Sequence, residues 1–424
     1  MRVLFGASSW PGHYFPMVPL AWALRAAGHD VRMLCSPSDV DAVSRAGLVP
    51  VPVLDSVDMM MFTRWFNVAN FASGDWPYPE PPPRPDDGEP LDFATFDAAA
   101  RWAETAEATT AQLGRSIEGA QRYARAWRPD LVVHDMVCYE APLAAEAVDV
   151  PNVLHLWGPT GPSDALDTLG GDGGSEQFSS ATAESTMTGL IGPELGARMF
   201  GRARTVIDPC PEAVAPKLAL DRLPIRYIPY NGPGSVPTDL PERTGRPRLC
   251  VVWGRSSTVS FGPASNRLPQ IIAAAEAVGA EVLLLATGQD VAAVGPLPDS
   301  VRPMVEVPLH LVLPECDAVV HSGGGGVTMT SLSCGTPQLS LPIAVNAAVL
   351  SRRFDRYGAG LTVPNYEADV ESLTGALSRL LTEPAFTTAA RALAGEAETM
   401  PSPAEVVAEL VELAGMRAAQ PVSA

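Results

Sequence analysis

The stretch His321-Ser322-Gly323-Gly324-Gly325-Gly326-Val327 constrains the fold of this chain more than any other. Upstream, Cys316 to Val320 ends in a short apolar run, the pattern of a strand buried on both faces of a parallel sheet. Downstream, residues 327–334 read as a helix that stops at Gly335, with Pro337 barring continuation. The piece is strand, glycine turn, helix. Such a turn leaves unpaired amide N–H groups at the helix start, on the carboxyl edge of the sheet, where a diphosphate is held without a metal. His321, at the strand end, is expected to add one donor to the same anion. Glycines alone also serve any close strand-to-helix turn, so their order matters more than their number.

The other end of the chain repeats the theme. Residues 2–8 read as a strand, 17–27 as a helix closed by Gly28, 31–35 as a second strand, 38–46 as a helix closed by Gly47, and 48–53 as a third strand. Two successive βαβ units of this kind imply a parallel, doubly wound sheet. The first turn, Ser8 to Pro16, is not Gly-x-Gly-x-x-Gly, and the second strand ends in Cys35-Ser36 rather than an acidic residue. A nicotinamide oxidoreductase is therefore poorly supported. His13 sits at the carboxyl end of the first strand, where it either faces the cleft or merely caps the next helix. Residues 128–135 read as another buried strand with Asp135 at its edge. That carboxylate is either a partner for His13 or the N-cap of the helix containing residues 141–147. A second sheet is expected from residues 248–253, followed by Gly254, Arg255 and Ser256 in a turn that also offers amides to a phosphate.

A length of 424 residues exceeds one ordinary core and suggests two domains. A net charge of −19 argues against a nucleic-acid partner, since phosphate backbones need clustered basic side chains. No apolar stretch is long enough to span a membrane, and the chain opens on a strand rather than a secretion signal, so the expected location is the cytoplasm. The six cysteines, without a Cys-x-x-Cys pair, read as reduced thiols. Residues 73–91 are too rich in proline for helix or strand and read as a mobile loop, as does the glycine-rich stretch 169–185. Met60, Phe62, Trp65 and Phe66 form an apolar group suited to an acceptor wall or to a core.

His321-x-Gly323-Gly324-x-Gly326, followed by Gly335-x-Pro337-Gln338 and Leu341-Pro342, resembles the nucleotide-sugar signature of GT-B glycosyltransferases that place deoxysugars on macrolides and aromatic polyketides. Tyr227-Ile228-Pro229-Tyr230-Asn231-Gly232 and Gly12-His13-x-x-Pro16 fit the same family. The resemblance implies an α/β fold of two doubly wound, Rossmann-like domains facing across a cleft. Residues 1–215 would bind the acceptor, 216–245 would link, 246–405 would bind the donor, and 406–424 would pack back on the first domain. His13 would be the general base and Asp135 its partner. Gly254, Arg255, Ser256, Glu306, Val307, His321, Gly323, Gly324, Gly326, Val327, Asn346 and Ala347 would surround the donor.

The implied reaction is an inverting, metal-independent transfer from a nucleoside diphosphate sugar, a TDP-deoxysugar by preference, to a small-molecule aglycone, with no cofactor. Loops of the first domain, including 73–91, would line the acceptor mouth. A homodimer, and an auxiliary activator protein docking near residues 93–123, are partners the resemblance allows. The chain departs from the pattern at three places. Val327 replaces a hydroxyl, for which Arg255 would compensate unless it is a solvated surface residue; Glu306 replaces an aromatic ring; and Asn346-Ala347 replaces an acid-amide pair, which suits a sugar lacking hydroxyls. These departures leave a rival open, a non-catalytic GT-B-like binding or partner subunit of the same pathway.

Overall fold

The computed structural model describes residues 1–55, 57–160, 203–217, 220–237, 240–305 and 307–418, with backbone alone at 255, 256, 345, 346 and 416–418. The stretch 169–185 and Glu306 lie outside the described residues. Two parallel sheets form the frame. The first contains β1 (Arg2–Gly6), β2 (Asp30–Cys35), β3 (Pro50–Pro52), β4 (Leu131–His134), β5 (Asn152–His155), β6 (Thr205–Asp208) and β7 (Asp221–Pro224), in the order β3-β2-β1-β4-β5-β6-β7. The second contains β8 (Arg248–Val252), β9 (Glu281–Leu285), β10 (Val301–Pro303), β11 (Ala318–His321), β12 (Gln338–Ser340) and β13 (Gly360–Thr362), in the order β10-β9-β8-β11-β12-β13. The expected α/β architecture of two doubly wound domains is what the chain adopts.

The central strands are apolar along their whole length because both faces are covered. Val3, Leu4 and Phe5 of β1, and Val319 and Val320 of β11, have no exposed surface. In each sheet the strand order reverses once, between β1 and β4 in the first and between β8 and β11 in the second. Ligands of open parallel sheets bind in the crevice such a reversal leaves at the carboxyl edge. At the first reversal the backbone comes close: a Cβ added to Gly6 would lie 2.4 Å from Ala141 Cβ, so only glycine lets the helix Glu140–Val148 rest on β1.

Three segments tie the halves together. Strand β7 pairs with β6 inside the stretch assigned to the linker, so the first sheet runs past residue 215. The helix Pro403–Ala418 places Val406, Val407 and Leu410 in the same core cluster as Leu20 and Leu24. The proline-rich segment 73–91, expected as a mobile loop, is anchored instead. Trp76 stacks parallel to Phe261 at 6.2 Å, and Tyr78, buried in the core of the second domain, donates its hydroxyl to Asn365 Oδ1 at 2.7 Å. Prolines keep this segment out of sheet and helix but do not stop its aromatic rings from being buried.

Residues 93–123 also serve the interior in part. Phe93, Phe96 and Trp102 pack around Trp65, Val68 and Leu91. The cysteines are free thiols, and among the described residues no helix is long and apolar enough to cross a membrane.

Leu410 is fully buried, so Leu410→Ala leaves a cavity where the last helix meets the first domain. The expected loss is about 2–4 kcal/mol, seen as a lower urea midpoint.

Candidate active site

At the first reversal, the loop after β1 carries His13 in the short helix Pro11–Tyr14, and the loop after β4 carries Asp135. His13 Nδ1 lies 3.4 Å from Asp135 Oδ2 and 2.7 Å from Ser8 Oγ. The carboxylate is fully buried and accepts from the amides of Ser8 at 3.1 Å, Val137 at 2.9 Å and Cys138 at 2.6 Å. Burial alone would raise its pKa, but the hydrogen bond and charge of His13, with the amides, hold it below the usual carboxylate range. A carboxylate fixed in this way orients the imidazole and stabilises its protonated form. Nε2 of His13 has no protein partner among the described residues. Of the two roles the sequence left open for Asp135, the geometry supports the pairing with His13; the N-cap of the helix Glu140–Val148 is Tyr139, and the carboxylate receives the amides of the turn before it.

Trp157, just beyond β5, was not singled out by the sequence. Its indole stacks on the His13 ring with centroids 4.0 Å apart and planes 8° from parallel, while Trp10 lies 5.9 Å away on the same imidazole. Trp157 also touches the second domain: a Cβ added to Gly325 would sit 3.1 Å from its Cδ1. Arg353, on the helix Val345–Tyr357, donates to the carbonyl of Pro159 and holds the same loop down.

The glycine turn opens the helix Gly325–Cys334. Gly324 is its N-cap and offers no side-chain cap, so the first amides are unpaired within the helix and directed at the crevice. Gly323 has φ +85°, and a Cβ there would meet Ala347 Cβ at 2.9 Å, which excludes other residues twice over. His321 is placed differently from its expected role. Its Nδ1 accepts from the Gly323 amide at 3.0 Å and its Nε2 donates to Gln338 Oε1 on β12 at 3.0 Å, so both nitrogens are committed within the protein. The imidazole shapes the turn rather than reaching toward an anion.

The remaining donor positions spread around this point. Gly254 caps the seven-residue helix Arg255–Phe261 beside it, since Val252 is in register with His321. Arg255, Ser256 and Asn346 have only their backbone described, Val327 packs among Cys250, Leu309 and Leu313, and Val307 lies beside Met304.

Beside Ser8 and Ser9 the first domain holds an open cavity lined by Met33, Leu54, Met59, Phe62, Leu113 and Glu140 among others. Of the four expected acceptor residues, Phe62 lines it. Met60 turns to Ser260 of the second domain, Trp65 is buried among Leu91, Phe96 and Trp102, and Phe66 is half-buried outside the lining. Among the described residues no group of three or more His, Cys, Asp or Glu side chains is arranged to hold a metal ion.

The models of the erythromycin biosynthesis protein CIII-like N-terminal and C-terminal domains match residues 22–73 and 89–254, and 269–413. A 3-alpha-mycarosylerythronolide B desosaminyl transferase of Saccharopolyspora erythraea is 34% identical over 98% of this chain and 99% of its own. The chain belongs to this glycosyltransferase family. Another member, an aklavinone 7-beta-L-rhodosaminyltransferase of Streptomyces galilaeus, is 31% identical over 99% of this chain and 97% of its own. Among solved structures, glycosyltransferase VinC in complex with dTDP superposes with a TM-score of 0.71 at 28% identity, covering 98% of this chain and all of that one. The spinosyn rhamnosyltransferase SpnG with thymidine diphosphate gives 0.72 at 28% identity over 97% of this chain and 100% of its own. In this glycosyltransferase the two sheet reversals therefore face one another across a single cleft. Ser8, Trp157 and Glu140 are the contributors the sequence did not bring forward; each stands just past a buried strand or at a helix start on that cleft edge.

Burial holds the His321 imidazole neutral and lowers its pKa to about 4, against the hydrogen bond its Nε2 donates to Gln338 Oε1, and burial does the same to His155. In the unfolded chain the ring binds its proton near the ordinary value, about 6.5, so stability falls as pH drops from about 6.5 to about 4 and levels off below. His321 accounts for about 3 kcal/mol of that fall. Urea midpoints taken from pH 7 to pH 4.5 are expected to drop less steeply in His321→Asn than in the parent.

Proposed function

We propose that this protein is an inverting, metal-independent glycosyltransferase that moves a deoxysugar from a TDP-sugar to a hydroxyl of a polyketide-type acceptor. The observation that carries the reading is the sandwich at the cleft. The imidazole of His13 stacks on Trp157, and Trp157 rests on the glycine turn at Gly325. Trp157 thus meets both the imidazole and the helix start on which an anion would settle.

In the reaction, Nε2 of His13 takes the proton of the acceptor hydroxyl as that oxygen attacks the anomeric carbon. The bond from that carbon to the diphosphate oxygen breaks on the opposite face, and the configuration inverts. Asp135 stabilises the imidazolium that forms, with its orientation fixed by the Ser8, Val137 and Cys138 amides. The uncapped amides opening the helix Gly325–Cys334 receive the charge on the departing diphosphate, which is the task a helix N-terminus performs without a metal. The thymidine diphosphate bound by VinC and SpnG supports the choice of TDP, and the names of the desosaminyl and rhodosaminyl relatives support a deoxysugar. Ala347, whose methyl lies against Gly323, offers no partner to a sugar hydroxyl from its side chain, which suits the same class of donor.

His13→Ala is expected to lower kcat by about a thousandfold, and Asp135→Asn by about a hundredfold, with the calorimetric affinity for TDP within twofold of the parent. Sugar transfer by the His13 variant at near parental rate would remove the base from this site. A parent that binds TDP yet transfers nothing from a pool of TDP-deoxysugars to polyketide aglycones would point to the non-catalytic alternative.

A further inference from the structure

The cavity beside Ser8 carries a chemical signature that the transfer reaction does not use. Its walls are mainly apolar, and its charged groups are Asp39, Asp55 and Glu140, with no lysine, arginine or histidine in the lining. Two of these acids are already occupied: Ser36 donates to Asp39 at 2.6 Å, and Arg115 pairs with Asp55 at 2.6 Å. Glu140 is different. It is 8% exposed, has no cationic partner among the described residues, and receives only the Cys138 thiol at 3.6 Å and the amides at its own helix start. A buried carboxyl without a counter-charge is expensive unless a ligand completes its hydrogen bonds or it holds its proton. Burial, with the nearby charge of Asp135, raises its pKa.

We propose that Glu140 is a specificity-determining residue of the acceptor cavity, hydrogen-bonding one oxygen atom of the acceptor, and that the acid-only lining selects uncharged or cationic acceptors over anionic ones. The inference deepens the transfer reading and rests on it for the name acceptor. Neutral Glu140 donates to a carbonyl or hydroxyl oxygen; ionised Glu140 accepts from a hydroxyl; in either state a carboxylate on the ligand meets acids on several sides and no cation. Ser8 lines the cavity and also contacts His13, so a ligand seated there reaches the base past a single serine.

The test is equilibrium binding in the absence of donor, with the full-length protein. The probes are a hydroxyanthraquinone, its carboxylic acid derivative, and 10-deoxymethynolide. At least one neutral probe is expected to bind the parent, and the acid about thirtyfold more weakly than the quinone that carries it. Glu140→Leu should weaken the bound neutral probe about tenfold, while Glu140→Gln, which keeps donor and acceptor, should stay within about threefold. TDP titration of each variant reports that the fold and the donor site are intact. Failure of both neutral probes to bind, equal binding of the acid and its parent quinone, or a Glu140→Leu variant indistinguishable from the parent overturns the proposal. Glu140-dependent binding in a protein that transfers no sugar would keep this proposal and sink the transfer reading, so the two fail separately.

Discussion

The buried carboxylate of Asp135 is the constraint from which the site follows. A charge with no exposed surface must be surrounded by donors, and the backbone provides them: three amides and one imidazole converge on it. Those donors come from the loops after β1 and β4, the strands between which the first sheet changes direction. Satisfying one ion therefore fixes the shape of both loops, and with them the position of His13. The side chain that pairs with the base also receives the amides of the turn that leads to the next helix.

On the opposite side of the cleft the same problem is solved with the opposite polarity. The turn after β11 exposes donors rather than an acceptor; glycine at the N-cap, Gly324, offers them no side-chain acceptor, and its neighbours Gly323 and Gly325 sit where a Cβ would crowd Ala347 and Trp157. His321 spends one ring nitrogen on this turn and the other on Gln338 of β12. One lobe thus presents a negatively backed imidazole and the other a positive helix end, with the Trp157 indole between them. The overall charge of −19 matters little at this range, because salt confines such a field to about 8–10 Å while the amides act in contact.

Much of this was legible in the residues. Apolar runs leading into glycine, and glycines closing amphipathic stretches, identified the parallel strands and the doubly wound sheets, because local sterics and burial on both faces leave few other choices. Strand order was not legible, as it depends on contacts between segments far apart in sequence; the adjacency of β1 with β4 brings residues 13 and 135 together. Trp157 escaped notice for the same reason, since an aromatic residue after a strand is ordinary until its neighbours are known. His321 was assigned a ligand's role because a histidine beside glycines has spare nitrogens on paper; Gln338, 17 residues later, takes one of them. The apolar residues 60–66 illustrate a further limit. Successive side chains of a helix point in different directions, so Phe62 reaches the cavity while Trp65 enters a separate core.

The anchoring of segment 73–91 changes where this molecule divides. Tyr78 belongs to the first half by sequence but completes the core of the second, and Leu410 does the reverse. A chimera joined at the inter-sheet connection would leave a foreign surface around each of them. Recombining such enzymes to exchange donor preference therefore requires the tyrosine strap to travel with the carboxyl-terminal sheet and the last helix to stay with the amino-terminal one, so that the functional seam runs through space rather than at any single peptide bond.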